Sequence, residues 1–456
     1  MQVVLFILSV LLFIGLVLVH EWGHYIAARR NGVDVEEYGL GFPPRAWGKK
    51  LKSGMVLSIN WLPLGGFVKL KGEHDSDTKK GTFGAASLGA KTKILLAGVF
   101  MNLVVGLALL TILALVGMPK LLDKDTIGED QFTVASDTKI VSQQVRAGTV
   151  QDNSPASKIG LSGNDVILSV ANGNDVRKTK TIQQLHDATT DFAGKTVAVT
   201  YKHGNQQIVK RVYLRSLNDV VTDLNKQAGL KNSDKIVEVK DLEFSGDNTK
   251  KINSLNDYYQ AAGAFDGDNV KITYISDNGI KTKKTTLNPE GFFGVFDPIN
   301  IQIQRSTWSA PVVAVGFTVQ LTKLTFIGLG HAIGGLGSTI AGLVTSNKEA
   351  RQNGQTSASS QVGGPVAIVA VLWGSGTYGI TFILWIIAVL SLTLAIMNVL
   401  PIPALDGGRL FMILFSRGIL KKPLDTLTEE RITATGMALL LCLVALITVV
   451  DVKRFF

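Results

Sequence analysis

The chain has 456 residues, of which 46% are hydrophobic and 18% charged, with a net charge of +10. Soluble domains carry about 25% charged residues, so this composition excludes an ordinary soluble protein and fits a membrane protein with a polar portion. Much of the positive excess flanks apolar segments, as membrane-bound chains distribute it, so no nucleic-acid partner is expected. The one cysteine, Cys442, excludes a disulfide framework and a cysteine-ligated metal site.

An uncharged apolar run, Val3 to Val19, opens the chain and continues as a helix past His24. Met1-Gln2 carries no basic residue and no small-residue cleavage site follows, so the run is expected to be a retained first span. A polar stretch, 28–91, contains Gly39 to Pro44 and Leu57 to Leu70. Lys93 to Met118 is long and apolar enough for a second span. From Pro119 to Arg305 the sequence turns polar, with the alternation of strands. Ser309 to Val344 is apolar but interrupted by Gly, Thr322-Lys323 and His331, and 345–361 reads as a loop. Val362 to Leu400 and Thr433 to Val450 supply the last apolar segments. The expected architecture is a polytopic α-helical membrane protein of about four transmembrane helices, with a small membrane-associated β-element and two α+β domains.

The polar middle holds a repeat. Ser154-Pro155-Ala156, Gly160-Leu161, Asp165 and Ile167 recur about 69 positions later as Ala228-Gly229-Leu230, Asp234 and Ile236. Each copy is followed by a short helix and a strand pair, the mark of one small fold used twice. The first copy resembles the carboxylate-binding loop of PDZ domains, which bind extended peptides along a sheet edge, and the second copy matches in part. The divisions expected are 1–118, a first PDZ-like domain at 119–215, a second and divergent one at 216–305, a surface or re-entrant segment with its loop at 306–361, and a C-terminal membrane part at 362–456.

The chemistry concentrates at the end of the first span, in His20-Glu21-Trp22-Gly23-His24. On a helix this spacing puts two imidazoles on one face, able to bind one zinc ion, with Glu21 beside them as general base. Ionisable groups at membrane depth are costly and mark function by default. A catalytic zinc takes a third protein ligand, and Asp406, after Pro401 and Pro403, is the leading candidate. Counting crossings makes this conditional. His20 and His24 lie at one end of helix one, so Asp406 reaches them only if Ser309 to Val344 makes no net crossing. That stretch would then lie along the surface or enter and leave on one face. Arg29, Arg30, Arg45, Lys49, Lys50 and Lys52, with Arg409, Arg417, Lys421, Lys422 and Arg431, mark the side of the motif as cytoplasmic. The N-terminus, the repeat domains and the C-terminus are then extracytoplasmic.

Taken in order, His20-Glu21-x-x-His24, a PDZ-like domain and Asn398-x-x-Pro401-x-Pro403-x-x-Asp406-Gly407 resemble the site-2 protease family of zinc intramembrane metalloproteases, in its bacterial branch of the regulator-of-sigma-E type. The resemblance implies zinc on His20, His24 and Asp406, Glu21 as general base, and Asn398, Pro401 and Pro403 at the substrate. It also implies that Trp61, Leu62, Gly65 and Gly66 belong to a β-element offering a strand edge to an unwound substrate helix. Gly363-Gly364-Pro365 matches a further family motif, and Thr393 stands where some relatives have asparagine. The implied activity is cleavage of transmembrane segments of single-span membrane proteins, such as anti-sigma factors or remnant signal peptides, in a bacterial cell membrane. Peptide C-termini are possible ligands of the PDZ-like domains. The rival expectation is a membrane-anchored PDZ scaffold or chaperone with a non-catalytic zinc site. A transporter predicts paired membrane halves, which the sequence does not show.

Overall fold

The structure is a computed structural model that describes residues 2–122, 124, 128–204, 206–231, 233–242, 248–264, 269–277, 279–286, 291–344 and 364–455. The chain divides into two compact units, residues 1–139 with 304–456, and residues 140–303. The loop expected at 345–361 and Gly363 lie outside the described residues.

In the first unit, α1 (Gln2–Arg30) leads into a hairpin of β1 (Val35–Lys50) and β2 (Val56–Leu70). Helix α2 (Leu88–Val116) starts earlier than its apolar run because the Ser87 hydroxyl accepts the Ala90 N–H and caps it. A short strand β3 (Met118–Lys120) follows. After the second unit come α7 (Ala310–Val344), α8 (Pro365–Ser375), α9 (Ile380–Val399), α10 (Asp406–Gly418) and α11 (Thr426–Phe455). Five described helices are long and apolar enough to cross a membrane, within α1, α2, α7, α9 and α11. This makes the chain a multi-pass membrane protein, with one more candidate span than the four expected.

The additional candidate is α7. Its glycines, Thr322-Lys323 and His331 do not interrupt it, and it is a single helix of 35 residues. In an apolar setting Gly does not break a helix, and each Thr hydroxyl returns its hydrogen bond to the preceding turn, Thr318 to Ala314 and Thr322 to Thr318. Lys323 is neutralised by Glu129 at 2.8 Å. The two ends of the stretch 309–364 nevertheless lie at the same end of the bundle. Ser306 donates to Ala114 at the C-terminal end of α2. Gly364 donates to Asp451 at the C-terminal end of α11. The N-terminal ends of α2 and α11 meet on the opposite side, where Asp75 bonds both Lys91 and Glu429. The segments that flank α7 thus sit together at one end of the bundle.

The second unit contains β4 (Lys139–Arg146), β5 (Thr149–Val150), α3 (Pro155–Lys158), β6 (Val166–Asn172), β7 (Asp175–Lys178), α4 (Ile182–Asp191), β8 (Thr196–His203) and β9 (Gln206–Tyr213). Then come α5 (Leu217–Gln227), β10 (Lys235–Asp241), β11 (Thr249–Lys251), α6 (Leu255–Ala264), β12 (Asn269–Ser276), β13 (Gly279–Thr286), β14 (Val295–Phe296) and β15 (Ile299–Arg305). Strands β7, β6, β8 and β9 repeat the order of β11, β10, β12 and β13, so the internal duplication is structural.

The structure divides the chain differently at 119 and 305, while the second module begins with α5 at Leu217, next to the expected 216. Residues 119–139 belong to the membrane unit, where Leu121, Leu122 and Val134 pack against the α2 core. The second module is nested inside the first. Phe292 packs in the second core, but Phe293 packs in the first, and β14 and β15 return to pair with β5 and β4. The first sheet is completed only by a segment that follows the whole second module.

Candidate active site

His20 and His24 fall one helical turn apart on α1, facing α2. The helices approach closely because neither side carries bulk there. A Cβ on Gly23 would stand 2.5 Å from the Ala97 carbonyl oxygen, and one on Gly98 would stand 2.3 Å from His24 Nε2. Gly98 thus makes the room in which the two imidazoles sit.

Asp406 is the first residue of α10. The 400–405 connection that delivers it is tight. Ile402 and Leu405 donate to Leu400 and Ile402, and Ala404 takes a left-handed φ of 87° that a residue with a Cβ rarely adopts. Gly407 and Gly408 follow where a Cβ would meet the carbonyls of Val399 and Ile402. Backbone strain of this kind is kept where the surroundings enforce a geometry, here the placement of one carboxylate.

The three side chains converge. His20 Nε2 is 3.1 Å from Asp406 Oδ2, His24 Nε2 is 3.2 Å from the same oxygen, and the two Nε2 atoms are 3.2 Å apart. Tetrahedral zinc with bonds of about 2.0–2.1 Å spaces its ligands about 3.3–3.4 Å apart, so the triangle fits that ion. The outer nitrogens support it. His24 Nδ1 lies 2.8 Å from the Ile94 carbonyl oxygen, which can only accept, so Nδ1 carries the proton and Nε2 presents its lone pair. His20 Nδ1 lies 3.3 Å from the Asn102 side-chain amide, whose Oδ1 is buried without a partner among the described residues. Turning that amide lets Oδ1 accept from Nδ1–H, which satisfies the orphan and leaves His20 Nε2 free for the metal. Ser391 in turn donates to the Asn102 carbonyl at 2.8 Å.

Glu21 lies beside both imidazoles and Asp406, but its carboxylate is not one of the three converging ligands. The hairpin passes next to it. A Cβ on Gly66 would stand 3.1 Å from Glu21 Cγ. In β2, residues 56–59 pair on both edges, with 37–40 and with 47–50, whereas 66–70 pair only with 35–40, so among the described residues the other edge of 66–70 carries no strand. The Tyr38 hydroxyl, on β1, donates to the Leu18 carbonyl at 2.6 Å and ties the hairpin to α1. Burial, reinforced by the Glu21 charge, pushes its pKa up to about 12, so the hydroxyl stays a donor.

The remaining residues singled out in the sequence are placed as follows. Asn398 is half-buried in the last turn of α9, eight residues before Asp406, and Thr393 is half-buried on the same helix. Pro401 and Pro403 lie in the connection to α10, with Pro403 against Gly436 of α11. Trp61 is 72% exposed, Gly65 takes a φ of 88°, and the Leu62 side chain lies outside the described residues. Asn102, Gly98 and the Ile94 carbonyl were missed. Their signal was available, since Gly98-x-x-x-Asn102 puts a small and a polar residue one turn apart in an otherwise apolar span.

A buried ionic network holds α10 in place. Asp75 accepts from Lys91 and from Arg417 Nε at 2.9 Å, and the Arg409 guanidinium bonds the Glu73 carbonyl and stacks over Phe83. Burial alone would raise the Asp75 carboxyl, but hydrogen bonds from Arg417 and Lys91 outweigh it and hold it below the ordinary range. A depressed folded-state pKa stabilises above the unfolded value of about 4 and is lost as pH falls through the folded one. Asp75→Asn should therefore lower stability at neutral pH by about 3 kcal/mol or more, because Lys91 and Arg417 lose their counter-charge. The deficit should shrink below about pH 4. Thermal unfolding of both proteins in detergent across pH checks this, and a deficit independent of pH would refute the electrostatic account.

These residues form a site between helices long and apolar enough to cross a membrane, where two histidines and a carboxylate converge at the spacing of metal ligands and a separate glutamate lies beside them. The model of peptidase family M50 matches residues 8–443, and the chain belongs to that family. It is 26% identical to a Clostridium perfringens protein named as a zinc metalloprotease, over 98% of each chain. It is 24% identical to a protein of Enterococcus faecalis named as the protease eep, over 97% of each chain, and 25% identical to a Vibrio cholerae protein named as a zinc metalloprotease, over 96% of each. The protein is a zinc metalloprotease.

Proposed function

We propose that this protease cuts the transmembrane segments of single-span membrane proteins within the bilayer, close to its cytoplasmic face. The observation that carries the reading is the position of the ligand triangle, between α1 and α2 and beside the 66–70 part of β2, whose outer edge carries no described strand. A transmembrane helix hides its peptide bonds in its own hydrogen bonds, so a cut requires local unwinding. The free β2 edge offers replacement partners for the unwound backbone. Trp61, Gly65 and Gly66 belong to that strand, and Asn398 and the Pro401–Pro403 turn would flank the substrate from the other side.

His20, His24 and Asp406 would hold a zinc ion, which when bound would supply Lewis acidity to the scissile carbonyl and to the attacking water. Glu21 takes the proton of the attacking water and passes it to the departing amine. The Lys and Arg around 29–52 and 409–431 support a cytoplasmic site, which puts 140–303 outside the cytoplasm. The two modules there act as PDZ-like docking or size-filter domains, admitting substrates already trimmed outside. Anti-sigma factors and remnant signal peptides are the substrate types that fit.

The test is cleavage of a single-span substrate in nanodiscs, with the product termini mapped by mass spectrometry. The expected cut lies inside the apolar segment, and removal of 140–303 should let untrimmed substrates be cut as well. Cleavage confined to flanking soluble sequence would overturn the intramembrane reading. A scaffold with a non-catalytic zinc site would give no cleavage at all.

A further inference from the structure

The 140–303 unit uses one sheet twice and gives the two copies different outer faces. In each copy a row of directly opposed residues crosses the sheet, at the sixth position of β6 or β10, the third of β8 or β12 and the sixth of β9 or β13. In the first module the row is Ala171, Ala198 and Arg211. In the second it is Lys240, Lys271 and Lys284. The row lies on the face away from the core, since the alternate residues Val239, Val270 and Ile272 are buried. Like charges directly opposite one another destabilise a sheet. The first copy forms the same ladder with alanine at two of the three places, so the fold itself does not require the lysines.

The hairpin tip changes in the opposite sense. Four residues further along β8, on the same face as the row, the first module pairs Lys202 with Gln207. The second pairs Ile275 with Ile280, which are 42% and 74% exposed. Strands β12 and β13 carry Lys271, Lys281, Lys283 and Lys284 and no carboxylate. Asp277, in the turn, faces Lys231 at 3.9 Å. The second copy therefore has an apolar tip and, at about 3.3 Å per residue, a cationic row about 13 Å behind it. That order suits the boundary of a bilayer. Apolar side chains sink about 5–10 Å into the headgroup region, and lysines behind them reach the lipid phosphates. The unit is joined at both its ends to the part of the chain that carries the candidate spans, so a lipid surface is always at high effective concentration.

We propose that the β12–β13 hairpin of the second module docks on an anionic lipid surface, with Ile275 and Ile280 entering the headgroup layer and Lys240, Lys271 and Lys284 holding lipid phosphates. The first module, with Lys202 and Gln207 at its tip, does not make this contact. The inference is independent of which side of the membrane holds the unit and of whether the protease cuts within the bilayer.

The test uses the full-length protein with Cys442→Ser, so that one introduced cysteine can carry an environment-sensitive fluorophore. The label is placed at Ile280→Cys or, as the control, at Gln207→Cys. In nanodiscs of phosphatidylcholine with phosphatidylglycerol, the label at 280 should shift its emission to the blue and be quenched by nitroxide-bearing lipids. In phosphatidylcholine alone it should do neither, and the label at 207 should do neither in both. High salt should reverse the shift. Lys240→Ala combined with Lys271→Ala, which restores the alanines of the first module, should abolish the shift without lowering the melting temperature; a merely structural role for the lysines would lower it. In the unlabelled protein, amide exchange at Ile275 and Ile280 should slow in the anionic discs only. No shift in anionic discs, or an equal shift in neutral ones, would each overturn the proposal. So would binding of inorganic polyphosphate to the lysine row while the tip stays in water, which would assign the row to a soluble polyanion.

Discussion

Replacing Glu21 with glutamine is expected to abolish peptide cleavage while leaving the zinc in place. The reasoning starts from what Glu21 does not do. The three atoms that converge at metal-ligand spacing come from His20, His24 and Asp406, and the Glu21 carboxylate stands beside them. Glutamine has the same shape, so the approach of Gly66 and the seat of α1 on α2 are undisturbed. What disappears is the capacity to accept a proton. Loss of a positioned general base costs about 10²–10⁴-fold in rate. Metal content by mass spectrometry of the purified protein should stay at the wild-type level, while turnover falls by at least about 10²-fold. Retention of most of the activity would place the base elsewhere, and loss of zinc would make Glu21 a ligand.

The motif that carries this prediction was legible because all its chemistry lies in five consecutive residues on one helix. Asp406 was legible only through topology, since nothing local in Asp-Gly-Gly distinguishes a ligand from a turn. Counting crossings supplied the missing link, and the contacts of Ser306 with Ala114 and of Gly364 with Asp451 put the flanks of Ser309 to Val344 at the same end of the bundle. Asn102 escaped because a lone polar residue in an apolar span has no periodic partner to announce it. Its partner, His20, is 82 positions away. The nesting of the second module was hidden for a similar reason. The strand that completes the first sheet follows an entire second copy of the fold, and no local pattern says which core Phe292 or Phe293 will join. The anchoring of α10 by Asp75 joins residues 342 positions apart, from two polar segments whose basic residues say nothing of the contact between them.

The second large effect is expected from Asp406→Ala, which should remove both zinc and activity without unfolding the protein. One oxygen, Oδ2, approaches both imidazoles, so its loss leaves two ligands where a catalytic zinc takes three. Removing an outer partner such as Asn102 should cost about 10–100-fold in metal affinity, and removing a ligand should cost more than that range. The helix that carries Asp406 should stay in place, because Arg409 and Arg417 fasten it through contacts that do not involve the carboxylate. A carboxylate in the first turn adds only about 0.3–1 kcal/mol to a helix. Zinc affinity by competition with a chelator, read beside the melting temperature of the metal-free protein, separates the two effects. An unchanged affinity would mean that the third ligand lies elsewhere and that the convergence of α1 and α10 has another purpose. A collapse of the metal-free protein would mean that the carboxylate holds the bundle together in its own right, with His20 and His24 as hydrogen-bond partners and not as fellow ligands.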